Sequence, residues 1–183
     1  MTVSKALSEA VVQLDLRSGD LAQAIEELGE ALGGAEGVVD LQGAVAELLA
    51  RGRRQGTVGD NEVAIVHAVT QAVERLTLAL GRSPAGLAVH GPAGAVVHFV
   101  CLILIPSGER VAGFRLLNGL AVLLRDPMVR TQLLWAETVE EVVAICAKAE
   151  GGRWAALTAS LKGWMASAFR PSGATGTASG EGA

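Results

Sequence analysis

Residues 95–105, Ala-Val-Val-His-Phe-Val-Cys-Leu-Ile-Leu-Ile, limit the possible folds of this chain more than any other segment. The run is nearly all apolar and rich in β-branched residues, and Pro106-Ser107-Gly108 stops it abruptly. A strand with apolar side chains on both sides must be covered on both sides, which places it inside a sheet sandwiched between helices. The neighbouring patterns supply those helices. Leu21, Ile25, Leu28 and Leu32 recur on one helical face that ends at Gly33-Gly34. A second helix is predicted from Asp40, a candidate N-cap, with Leu41, Val45, Leu48 and Leu49 as its stripe; a glycine-bearing loop follows over 52–62.

Val63–His67 reads as a short strand with the histidine at its end, and Arg75–Leu80 alternates as a half-buried strand does. Gly81–Gly86 and Gly91–Gly94 are turn-rich, with a brief strand, Leu87–His90, between them. A long helix is predicted from Arg110 to Leu124, with Phe114, Leu117, Leu120, Ala121 and Leu124 facing inward. Pro127 suits the first turn of the next helix. Thr138-Val139-Glu140-Glu141 has the form of a capping box opening a helix through Val142, Val143 and Ile145. The expectation is an α/β domain over residues 1–150, with a mixed sheet of four or five strands flanked by helices. Beyond it, an additional amphipathic helix is predicted within 151–170, with Trp154, Leu157, Leu161, Trp164 and Met165 on one face. Residues 171–183 hold only Gly, Pro, Ala and small polar or charged residues, and are predicted to be a disordered tail.

Composition removes several function classes. Net charge is −4, aromatics are 3% and Tyr is absent, so neither a basic face nor a stacking platform for nucleic acid is expected. The short basic run Arg51-Gly52-Arg53-Arg54 reads as a solvated helix end. Cys101 and Cys146 lie among apolar residues and read as buried, reduced thiols. The first residues lack the shape of a signal peptide and no apolar run is long enough to span a bilayer, so a cytoplasmic protein with no membrane span is expected. The three histidines, His67, His90 and His98, show no i, i+4 spacing and no supporting ligand cluster, so neither metal nor cofactor is predicted. His98 sits in the apolar run and reads as a hydrogen-bonded core histidine; His90 borders a turn. His67 follows a Gly-containing loop and is the candidate for chemistry.

The stretch from Arg51 to His67, Arg-Gly-Arg-Arg-Gln-Gly-Thr-Val-Gly-Asp-Asn-Glu-Val-Ala-Ile-Val-His, resembles the phosphohistidine segment of the type-2 enzyme IIA domains of the bacterial phosphotransferase system. The apolar strand closing on Pro106, the helix closing on Asp126 and Ala136-Glu-Thr-Val-Glu-Glu141 follow the same plan, from about residue 5 to about residue 150. The resemblance implies His67 as the phosphate-accepting residue, with Arg51, Thr57 and Asn61 stabilising the phosphoryl group. It implies an HPr-like phosphoryl donor, and a transporter domain or regulatory target downstream. The chain departs from the pattern at Val58, Asp60 and Glu62, where the family has loop glycines, and at Val66, where it has proline. It departs again at Gly113, where the family has a second histidine. Two functions follow: a phosphoryl carrier in sugar uptake or regulation, or a degenerate enzyme IIA-like module that binds a partner without phosphoryl transfer.

Overall fold

The computed structural model describes residues 2–55, 62–89 and 96–152. Within them a four-stranded mixed sheet has the order β1-β3-β4-β2, with β1 Val11–Gln13, β2 Val63–Thr70, β3 Thr77–Ala88 and β4 Val96–Pro106. β4 pairs antiparallel with β3 and parallel with β2, so the apolar run is a central strand. β1 pairs parallel with β3 at the far edge. The helices are α1 Val3–Ser8, α2 Leu21–Ala31, α3 Leu41–Gln55, α4 Arg110–Leu124 and α5 Pro127–Trp135, followed by α6, described over 139–152.

Alternation along β4 divides the core. Phe99, Cys101, Ile103 and Ile105 meet Leu116, Leu120, Leu123, Val129, Leu133 and Val142 from α4, α5 and α6. Val100, Leu102 and Leu104 meet Leu21, Ile25, Leu28, Ala44 and Leu48 from α2 and α3. The predicted α/β architecture with helices on both faces is the observed one. Asp20 caps α2 by accepting from Gln23 N–H, Asp40 accepts from Gly43 N–H at the start of α3, and Pro127 occupies the first turn of α5. Thr138 accepts from Glu141 N–H, while the Glu141 carboxylate takes the N–H of Glu137 rather than that of Thr138, a shifted capping box.

Four expectations are corrected. The predicted loop over 52–62 begins later, because α3 continues through Gln55. The turn-rich Gly81–Gly86 and the two short strands around it are one strand, β3. Its glycine and proline signals belong to a bulge: Arg82 pairs with Phe99 and Leu87 with Val97, so residues 83–86 stand opposite His98 alone. Gly86 adopts φ +82 there, and His98 Nδ1 lies 2.8 Å from Ser83 O, which fastens the bulge and accounts for this histidine structurally. On α4 the inward face is Gly113, Leu116, Leu120, Leu123 and Leu124; Phe114 and Ala121 are largely exposed. Finally, β2 runs to Thr70, so His67 lies within the strand and not at its end. His90, the region 153–170 with its predicted helix, and the predicted tail over 171–183 fall outside the described residues.

Arg82, buried against this sheet, ties the layers together. Its guanidinium donates to the carbonyls of Leu14, Leu133, Leu134 and Ala136, gathering the C-terminal end of α5 onto β3. Both cysteines are free and buried, and burial pushes each thiol up to about 12, as expected of inert packing groups. Among the described residues no helix is long and apolar enough to cross a membrane.

Candidate functional site

His67 is half-buried on β2, the edge strand, with its Cα opposite that of Ile103 on β4. Odd-numbered residues of β2 point to the α4 side, and the imidazole meets the ring of Phe114 edge to face, centroids 6.0 Å apart and planes at 72°. Arg51 approaches from the other layer. It lies in the last turn of α3, exposed to solvent, and its charge is felt at His67 across the open edge of the sheet. Burial is the larger influence on the imidazole and the Arg51 guanidinium the second. Both disfavour the charged ring and hold its pKa below the ordinary 6.5. His67 is therefore neutral at pH 7, with a ring nitrogen lone pair free to act as a nucleophile.

Thr57 and Asn61 lie outside the described residues, as do Val58 and Asp60. Glu62, where the family has a loop glycine, is described. Its backbone has φ +61, the left-handed conformation that glycine takes most easily, in a loop position where a glycine is expected. Its carbonyl accepts from the N–H groups of both His98 and Phe99, and its carboxylate pairs with Arg130 at 3.9 Å. Arg130 also donates to the carbonyls of Leu124 and Arg125 at the end of α4. The Glu62 charge is thus matched by a cation at the start of β2, five residues along the strand from His67.

At Gly113, the position of the expected second histidine, α4 rests directly on β4. A Cβ there would lie 2.5 Å from Ile105 Cγ2, 2.6 Å from Cδ1 and 2.7 Å from Cγ1. The next residue, Phe114, is the one that reaches His67. Sequence reasoning placed Phe114 in the core and missed this contact. The signal was present, since Phe114 falls outside the stripe of Leu116, Leu120, Leu123 and Leu124. No group of three or more His, Cys, Asp or Glu side chains among the described residues could hold a metal ion.

These features define a three-layer α/β domain in which, among the described residues, one histidine, His67, lies on the edge strand of the sheet. Residues 5–149 match the model of the family "Phosphoenolpyruvate-dependent sugar phosphotransferase system, EIIA 2", and the chain belongs to that family. It is 28% identical over 145 residues to the PTS system fructose-specific EIIABC component of Bacillus subtilis, an alignment covering 79% of this chain and 23% of that much longer protein. Among solved structures it resembles the nitrogen regulatory protein IIA-Ntr of Neisseria meningitidis, with TM-score 0.64, 24% identity, and 79% of this chain and 98% of that one covered. It also resembles IIA mannitol of Escherichia coli, with TM-score 0.64, 20% identity, and 76% and 96% covered. At these identities the structural likeness concerns the fold. The Escherichia coli mannitol IIA enzyme has also been solved in complex with its phosphorylated IIB enzyme.

Proposed function

We propose that the chain is a phosphoryl carrier that accepts the group on His67 from an HPr-like donor and passes it to a transporter domain or a regulatory target, in the cytoplasm. The observation carrying this reading is a half-buried imidazole kept neutral by burial and by Arg51, at an open sheet edge, in a chain of the enzyme IIA type-2 family. In the reaction, the lone pair of one ring nitrogen attacks phosphorus while the P–N bond to the donor imidazole breaks, its electron pair returning to the donor. Each ring keeps the hydrogen on its other nitrogen, so no proton is consumed. Arg51 supplies a fork of donors toward the phosphoryl oxygens. Thr57 and Asn61 are proposed to complete that cradle. The test is intact-mass spectrometry after incubation with phosphoenolpyruvate, enzyme I and HPr. The wild type should gain the mass of one phosphoryl group, and His67→Ala should gain none.

The seating of Gly113 on Ile105 favours a second reading, a module that binds its partner without chemistry, because α4 packs on β4 at the position where the family has its second histidine, and a side chain there would have to lift the helix. A wild-type chain that remains unphosphorylated yet binds HPr or a IIB domain would establish that reading.

A further inference from the structure

We infer that Phe114 is a positioning residue for His67, orienting the imidazole that the proposed carrier function would phosphorylate. The terminal torsion of a histidine is broad and nearly two-fold, so a ring on an open sheet edge turns unless something restrains it. In-line phosphoryl transfer requires the nitrogen lone pair to be aimed at phosphorus, and misaimed rings do not react. In this chain the restraint comes from an aromatic edge-to-face contact, with centroids 6.0 Å apart. Such a contact biases the ring toward one orientation by roughly two- to tenfold.

The placement of Phe114 follows from the packing beneath it. Gly113 lets α4 settle directly onto Ile105, which sets the height of the helix above β4. Ile105 is paired with Val69 on β2, and Ile103 with His67 two residues earlier. A side chain leaving α4 at 114 therefore reaches across β4 to the edge strand and meets the imidazole there. Phe114 is 44% exposed, which is costly for a large apolar ring that packs only for stability. Its exposure suits a group that covers one side of His67 while leaving the opposite side open to a partner. The positive charge acting on this imidazole comes from Arg51 on α3; the neighbour from α4 is apolar.

The test uses the full chain with labelled histidine and two substitutions, Phe114→Leu, which keeps an apolar side chain without a ring, and Phe114→Tyr, which keeps the ring. The readouts are NMR side-chain order of His67 and the rate of phosphoryl uptake from phospho-HPr at saturating donor. Phe114→Leu should abolish the ring-current shift on the imidazole, lower its order and slow uptake by roughly two- to tenfold, with the donor concentration for half-maximal rate unchanged. Phe114→Tyr should restore order and rate. The inference is overturned if Phe114→Leu leaves imidazole order unchanged, or if the half-maximal donor concentration rises with the saturating rate intact, which would make Phe114 a docking contact. Imidazole order is measured without phosphate. A wild type that accepts no phosphoryl group would therefore defeat the carrier reading, while the ring-order result would still decide the role of Phe114.

Discussion

Replacing Gly113 with Ala measures how tightly α4 is seated on the sheet. Alanine gains helix propensity, at most about 1 kcal/mol. Against this, the new methyl would lie 2.5–2.7 Å from three carbons of Ile105, where ordinary contacts are about 3.5–4.0 Å. Ile105 is fully buried, and its two γ carbons branch from one Cβ, so a rotation that removes one carbon brings in the other. The helix must then rise from β4. Overpacking of this kind costs about 1–3 kcal/mol, which exceeds the propensity gain. With the full propensity gain the expected net loss is about 0–2 kcal/mol, a fall in Tm of up to about 8 °C for a chain of this size. Thermal and urea denaturation followed by circular dichroism would measure it. In an Ile105→Ala background the obstruction is gone, and the same substitution should become neutral or stabilising, a coupling of about 1–3 kcal/mol between the two sites. A Gly113→Ala variant that raises Tm in the otherwise wild-type chain would refute the reasoning, because α4 could not then be resting on Ile105. A histidine at 113 meets the same obstruction and would carry Phe114 away from His67.

Arg51→Gln removes one of the two influences that depress His67, so the imidazole pKa should rise toward 6.5 while staying below it. The acid limb of phosphoryl uptake should move to higher pH with it, since the neutral ring reacts; an unchanged NMR titration midpoint would contradict the charge coupling. The same depressed pKa means the unfolded chain takes up a proton first, so this histidine's contribution to stability is lost as pH falls below about 6.5. Arg82→Met leaves the carbonyls of Leu133, Leu134 and Ala136 without their donor and should cost about 2–4 kcal/mol; an urea midpoint within error of wild type would show that water replaces the guanidinium without loss. Glu62→Gly relieves a left-handed backbone worth roughly 1–2 kcal/mol. The loss of a half-exposed ion pair and the added freedom of the unfolded chain offset part of that, leaving a net change of about 0–1 kcal/mol in favour of the variant. Phosphoryl uptake should be unchanged, because the carboxylate faces Arg130; a marked increase would place its charge near the phosphoryl group after all.

Elements whose periodicity was unambiguous were legible from the chain itself. The stripe of Leu21, Ile25, Leu28 and Leu32 is buried as predicted, and the run through Ile105 is central because nothing but burial on both sides accommodates it. Gly81–Gly86 was misread because glycine and proline mark a bulge and a turn alike. Only the pairing of β3 with β4 on both sides of His98 distinguishes them. The extent of β2 was underestimated for a similar reason, since a strand is ended by its partner running out and β4 continues to Pro106.

The sequence alone determined that this is a layered α/β domain and singled out His67 among its histidines, because hydrophobic periodicity and local motifs are written in consecutive residues; the role of Arg51 beside it came only from the family resemblance. Tertiary structure alone decided that Glu62 turns to Arg130, that Gly113 is a seat for α4 and that Phe114 faces the imidazole. Those facts depend on the height and rotation of one helix above one strand. That geometry arises from side-chain packing between segments distant in the chain, which no local pattern records.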